Sequence, residues 1–326
     1  MSKLLPILVE GTGLSELDIR RIAANAPHRY KTYRIPKRSG GYRLISQPAR
    51  EVKALQRALV DGFLSQLPVH SAATAYRSGA SIRANAAAHA ANGPILKFDF
   101  SDFFPSISAD DWRKYCVRHS LFRDPEDVEM SCRVLFHSSI FHRGLRLAIG
   151  APSSPMLSNI LMYDFDLVVS EAVSEEQVVY TRYADDLTFS ARRTGYLTGV
   201  RKILNRAIAS IEFPKLTVNA DKTVLATKKY KRMVTGLILT NDHKVSIGYA
   251  RKRGLRAALH NYKYGKLSLR EQARLAGMLA FVNAAEPNFL NVLREKYGDE
   301  LIDALKKLRV SRAEAALHDP VGDLFN

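Results

Sequence analysis

Tyr183-Ala184-Asp185-Asp186 constrains this chain more than any other stretch. It lies between Val178-Val179-Tyr180-Thr181-Arg182 and Leu187-Thr188-Phe189-Ser190, two runs that read as strands. The spacing predicts a hairpin with two adjacent carboxylates at its tip. Such a pair repels itself and desolvates badly, so packing does not account for it. Oxygen-ligated Mg²⁺ beside a nucleotide phosphate does.

A second acid joins the argument upstream. Ile95-Leu96-Lys97-Phe98-Asp99-Phe100 reads as a buried strand that follows a Gly93-Pro94 stop. A lone Asp at a strand end is usually a turn or cap residue. Beside the hairpin it has another use, because a central sheet brings strand ends together. Asp99, Asp185 and Asp186 would then share two Mg²⁺ ions about 3.5–4 Å apart, one activating a sugar hydroxyl and one neutralising a leaving pyrophosphate. Neighbouring side chains on a strand face opposite ways, which ranks Asp99 and Asp185 ahead of Asp186.

The charge balance points to the partner. The 326 residues carry a net charge of +17, so a polyanion is expected, nucleic acid first. Arg29, Lys31, Arg34, Lys37, Arg38, Arg43, Arg50, Lys53 and Arg57 face a single acid, Glu51. Lys222, Lys228, Lys229, Lys231 and Arg232 form a second cluster, and Arg251, Lys252, Arg253, Arg256, Lys263, Lys266, Arg270 and Arg274 a third. Cys116 and Cys132 are the only cysteines and match no zinc or disulfide pattern, which fits a reducing cytoplasm. The start is too short and too soon acidic for a secretory signal, and no apolar run is long enough to span a membrane.

The pattern predicts a helix over 12–26 opened by Ser15-x-x-Asp18, then strands at 33–36 and 42–45 joined by the basic turn 37–41. A helix bearing Val52, Leu55, Leu59, Phe63 and Leu67 follows, and 72–92 is helix-compatible. Residues 109–138 read as helical, and Gly150-Ala151-Pro152-Ser153-Ser154-Pro155 as a turn into a helix capped by Ser154. A helix near 196–210, a strand at 216–218 and a hairpin of 233–239 with 244–247 come next. From Tyr249 the pattern is helical, with a capping box at Ser268 and Glu271 and a last helix over 299–317. The class is α/β with an all-helical last quarter.

In this order the motifs resemble those of reverse transcriptases, and among these the bacterial retron type. Phe98-Asp99-Phe100-Ser101-Asp102-Phe103-Phe104-Pro105-Ser106 looks like the first palm motif. Gly150–Pro155 with Ser158-Asn159 looks like the second, Tyr183–Asp186 the third and Asn219-Ala220-Asp221-Lys222-Thr223 the fourth. Asn85-Ala86-Ala87-Ala88-His89 is similar to an NAxxH element and Val234-Thr235-Gly236 to a VTG element, both associated with retron enzymes. The family usually has Gln before the glycine of the second motif; here it is Ile149, so a polar contact near the templating pair is absent or supplied elsewhere.

The resemblance implies a right-hand polymerase whose palm carries a ferredoxin-like α+β sheet. Fingers would occupy 1–94, the palm 95–248 with added finger helices near 109–140, and a helical thumb 249–326. Asp99, Asp185 and Asp186 would bind the catalytic Mg²⁺. Lys37 and Arg43 match triphosphate-binding positions or serve only generic phosphate attraction and solubility, and Phe104 matches the bulky residue that excludes a ribose 2′-OH in favour of dNTPs or is a core phenylalanine. Lys222 would protonate the leaving pyrophosphate or be a plain surface lysine. Asn85 and His89, at i and i+4, would contact RNA or form a buried polar pair. Val234, Thr235 and Gly236 would belong to a primer-side grip or an ordinary hairpin. Arg251, Lys252 and Arg253 would hold RNA phosphates.

Retron type further implies a structured non-coding RNA as template and primer, initiation from a guanosine 2′-OH, a branched RNA–DNA product and a separate effector protein in defence against phage. No RNase H or endonuclease part is expected after the thumb. A diversity-generating, abortive-infection or group II intron-like polymerase, and a catalytically silent RNA-binding protein on the same scaffold, are the competing readings.

Overall fold

A computed structural model describes residues 2–37, 40–139 and 141–308. Helices α1 (Leu4–Thr12) and α2 (Glu16–Asn25) open the chain, followed by β1 (Tyr30–Pro36), β2 (Tyr42–Pro48) and α3 (Arg50–Gly62). Next come α4 (Ile82–Ala90), β3 (Ile95–Asp99), the single turn α5 (Phe103–Ser106), α6 (Ala109–Arg118) and α7 (Pro125–Leu135). The hairpin β4 (His137–Ser139) and β5 (His142–Arg146) leads to α8 (Ser154–Leu161) and α9 (Tyr163–Ser174). Then follow β6 (Val179–Tyr183), β7 (Asp186–Ser190), α10 (Val200–Ser210) and β8 (Val224–Ala226). The last elements are β9 (Arg232–Val234), β10 (Leu237–Leu239), β11 (Val245–Ser246), α11 (Tyr249–Lys263), α12 (Leu269–Ala285), α13 (Pro287–Tyr297) and α14 (Asp299–Lys307).

The chain forms two compact units, one of residues 1–80 with 96–225 and one of 81–95 with 226–326. The expected palm–thumb boundary near 248 lies inside the second unit, between β11 and α11.

In the first unit the sheet order is β6-β7-β3-β8. In sequence rank that is second, third, first, fourth, the ferredoxin-like order. β3 is an inner strand, which is why Phe98 is buried and the run is apolar. Phe98 meets Phe189 edge-on, and Phe100 contacts Phe103 and Phe165. Trp112, fully buried, satisfies its indole N–H on the Ser131 hydroxyl at 2.8 Å.

The second unit packs α4 and β9–β11 with α11–α14 around Leu255, Leu259, Leu279, Val282, Leu293 and Ile302. Ser268 and Glu271 form the expected capping box. Arg232 corrects its assignment to a basic surface. It is 1% exposed, and its guanidinium donates to the carbonyls of Asn92, Gly93, Leu239 and Thr240.

Local expectations fail where polar backbone finds a tertiary partner. Residues 72–75 are not helical: Ala72 O accepts from Arg182 N, and Thr74 N donates to Arg182 O. The helix starts only after Ser81, whose hydroxyl caps Ala84 N. The stretch 109–138 is interrupted over 119–124, where Asp124 caps α7, and ends in the β4–β5 hairpin. Ser153, not Ser154, is the N-cap of α8, and it makes no side-chain cap bond. Only Val218 of 216–218 pairs, in an isolated bridge to Phe100. Positions 309–317 of the last expected helix lie outside the described residues.

Candidate active site

Asp99 is the last residue of β3, flanked on both sides by backbone bonds. Phe100 N donates to Asp185 O at 3.2 Å, and Asn219 N donates to Asp99 O at 2.7 Å. The end of β3 thus sits between the β6–β7 turn and the 217–219 segment. In β6–β7 the last pair is Tyr183 with Asp186, leaving Ala184-Asp185 as a two-residue turn. Ala184 takes φ +57°, a left-handed value that costs an L-residue about 1–2 kcal/mol.

A cavity of about 520 Å³ opens at this strand end, within the range of small-molecule sites. Its wall gathers Lys37, Arg43, Asp99, Phe104, Asp185 and Lys222, six residues singled out from sequence. Asp186 is not on that wall, as the alternation of strand side chains anticipates. Lys222 Nζ lies 2.7 Å from Asp99 Oδ1, which raises the lysine's pKa. Burial, then the charge of Asp99, raises the Asp185 carboxyl above its ordinary value. Burial is the largest cause of the rise at Asp186, where Lys97 opposes it.

Among the described residues no three His, Cys, Asp or Glu side chains form a ready metal cage. The donor set still fits Mg²⁺, which commonly takes one or two carboxylates and completes its shell with water and substrate phosphate. Asp99 and Asp185 would supply those oxygens, and their mutual repulsion is what a cation would relieve.

Gly150 shapes the adjoining wall. It has φ +120°, and a Cβ there would meet Ile45 Cγ2 at 3.0 Å and Ser46 O at 3.2 Å. Ser46 N donates to Ile149 O at 2.8 Å, joining β2 to this loop. Ile149, in place of the family glutamine, lines this cavity and a neighbouring one of about 390 Å³.

The structure adds residues the sequence did not single out for this site. Tyr76, at φ +58°, lines both cavities, and Lys53 and Arg57 of α3 line the smaller. The β4–β5 hairpin contributes His137, Phe141 and His142. Lys53 and Arg57 were visible only as members of the first basic cluster, and Tyr76 and the hairpin residues had no motif signal, since contact across distant segments leaves no period. Arg182 did carry one, a charge inside an apolar strand next to the paired acids.

The expected RNA-binding residues divide. Asn85 and His89 are 1% and 0% exposed inside the second unit, so neither presents a surface to RNA. Burial lowers the His89 pKa to about 4 and keeps the ring neutral at pH 7. Val234 is buried, and Thr235-Gly236 forms a two-residue turn with φ +46° and +79°. The Thr235 hydroxyl donates to Ile82 O, and Arg251 donates to Gly236 O at 2.7 Å. Lys252 pairs with Glu286 at 2.6 Å. Of the three cations that open α11, only Arg253 is exposed. No described helix is long and apolar enough to cross a membrane.

This sheet, with acids and cations gathered at one strand end, is the palm of a right-hand polymerase. A telomerase from Candida albicans, solved with a fragment of telomeric RNA, shares the fold. It covers 92% of this chain and 69% of its own, with a TM-score of 0.52 at 14% identity. The sequence profile of the family described as reverse transcriptase (RNA-dependent DNA polymerase) matches residues 35–244. Retron Ec83 reverse transcriptase of Escherichia coli is 35% identical over 299 residues, covering 90% of this chain and 94% of that protein. Retron Ec86 reverse transcriptase, also of Escherichia coli, is 30% identical over 306 residues, with 91% of each chain covered. Retron Mx162 reverse transcriptase of Myxococcus xanthus is 35% identical over 312 residues, covering 86% of this chain and 63% of that one. The chain belongs to the retron reverse transcriptases, and its activity is that of an RNA-directed DNA polymerase.

Proposed function

We propose that this enzyme copies a structured non-coding RNA into DNA, using that RNA as both template and primer. Synthesis starts from a guanosine 2′-OH and leaves a branched RNA–DNA molecule. The system acts in the cytoplasm in defence against phage, together with a separate effector protein. The observation that carries the chemical part is the convergence of Lys37, Arg43, Phe104, Asp99, Asp185 and Lys222 on one cavity. Its kinship with retron enzymes carries the rest.

In this reading 1–94 supplies the fingers, 95–248 the palm and 249–326 the thumb. Lys37 and Arg43 bind the triphosphate of the incoming dNTP. Phe104 closes the space a ribose 2′-OH would need. Asp99 and Asp185, with Asp186 behind them, hold two Mg²⁺ ions. The bound metal supplies charge neutralisation at the transferred phosphoryl group and lowers the pKa of the attacking hydroxyl. Lys222 Nζ keeps its proton beside Asp99 and delivers it toward the departing pyrophosphate. Arg253 and the other exposed cations of the last quarter hold RNA phosphates. Asn85 and His89 serve the RNA only indirectly, by fixing α4 beneath the Thr235-Gly236 turn.

The test uses purified protein, an annealed RNA template and primer, dNTPs and Mg²⁺. Incorporation is expected from the native chain and is lost on Asp185→Asn with RNA binding retained. A native chain that binds RNA yet never incorporates a dNTP would establish the silent-binder reading. Sequencing the nucleic acid that co-purifies tests the retron part: a branch joining RNA to DNA is expected, and unbranched cDNA primed from a 3′ end refutes it.

A further inference from the structure

A fully buried charge with bonds to three residues lies directly behind the acid turn. Arg182, the residue before Tyr183, is 0% exposed, as is its partner Asp166 on α9. Nε donates to Asp166 Oδ1 at 2.9 Å and Nη2 to Oδ2 at 2.6 Å, a two-pronged fork. Nη1 donates to Asn159 Oδ1 at 3.1 Å and to the carbonyl oxygen of Ala184 at 3.2 Å. Tyr180 OH donates to Asp166 Oδ1 at 2.8 Å, and Asn159 Nδ2 to Ala75 O at 2.8 Å. Hence α8, α9 and the β6–β7 turn meet on one guanidinium, and the 72–75 segment joins them through Asn159.

The bond to Ala184 has a specific geometric consequence. A two-residue hairpin adopts type I′, with φ positive at both central residues, or type II′, with φ positive only at the first. Ala184 is at φ +57° and Asp185 is not in the positive region, the type II′ pattern. The two types differ by a flip of the peptide whose carbonyl belongs to Ala184, the one that Arg182 holds. Turning that peptide over would drive Asp185 to positive φ and aim its side chain elsewhere. Type II′ ordinarily takes glycine at the first position. With alanine there, the surroundings have to enforce the conformation.

We infer that Arg182, locked by Asp166 and Asn159, is a positioning residue that selects the turn geometry and so aims the Asp185 carboxylate at the end of β3. Lysine cannot substitute, because one ammonium lacks the planar fork needed to reach Asp166, Asn159 and Ala184 O together. The inference rests on the proposed catalytic role of Asp185.

The test compares Arg182→Lys with the native chain in single-nucleotide incorporation on annealed RNA template and DNA primer. Rates are normalised to template-binding sites by active-site titration. We expect kcat to fall about 100-fold, the effect of misplacing a reacting group by roughly 1 Å. The KM for dNTP and the RNA affinity should stay within about twofold, because neither cavity wall includes Arg182. Asp166→Asn disturbs the same fork from the other side and should give the same selective loss, which covers the case in which Arg182→Lys folds poorly. A kcat per binding site within threefold of native in either variant overturns the inference. So does a matched loss of kcat and RNA affinity, the mark of a structural role alone. If Asp185→Asn abolishes incorporation while these variants do not, the positioning claim fails and the active-site reading stands.

Discussion

Gly150→Ala provides a quantitative test of how the cavity wall is built. Two costs apply. At φ +120° an alanine is strained by about 1–3 kcal/mol. Its Cβ would also press on Ile45 Cγ2 at 3.0 Å and Ser46 O at 3.2 Å. The second contact is backbone and cannot rotate away, so overpacking adds about 1–3 kcal/mol. The midpoint is about 4 kcal/mol, or a fall in Tm of about 8–16 °C for a unit of this size. Gly13→Ala is the internal control: Gly13 has φ +70° with nothing within 4 Å of the added Cβ, so only the conformational cost applies. Differential scanning calorimetry should show Gly150→Ala melting several degrees below Gly13→Ala. Because Ile149 lines the proposed nucleotide cavity and is bonded to Ser46, the dNTP KM should rise several-fold in Gly150→Ala alone. Equal Tm shifts in the two variants would refute the crowding argument.

Three further outcomes follow from the site and the second unit. Asp185→Asn should raise Tm at pH 7 in the absence of divalent cation while removing activity, and an unchanged or lower Tm would contradict the strain at this carboxylate. The folded-state pKa of Asp185 is raised, so its ionised form disfavours the fold above the unfolded pKa, and the neutral amide relieves this. Phe104→Ala should raise rNTP incorporation relative to dNTP by about 10-fold or more in competition assays, and unchanged discrimination would remove Phe104 from the sugar site. His89 has a folded-state pKa near 4, below the usual 6.5, so the unfolded chain binds its proton first as pH falls. Stability should therefore drop by up to about 3 kcal/mol between pH 6.5 and 4. His89→Gln should flatten that slope in urea titrations, and an unaltered slope would contradict the burial of a neutral ring.

The sequence by itself determined the elements whose signal is local. The β6–β7 hairpin, the apolar β3, the Ser15 cap and the Ser268–Glu271 capping box follow from alternation and from the few side chains able to satisfy a helix end. The paired acids stood out because packing does not account for their repulsion, and Asp99 gained its meaning only beside them. The tertiary structure decided which polar residues face solvent. Arg232 groups with exposed cations in a linear reading and Asn85 and His89 read equally as RNA contacts or as a buried pair, yet all three are buried. It also turned 72–75 from apparent helix into backbone bonded to Arg182, and placed Tyr76, Lys53 and the β4–β5 hairpin on cavity walls. The physical reason is common to these cases. Periodicity and capping report bonds between near neighbours, whereas a buried charge or a cavity wall depends on partners that only the folded chain brings within reach.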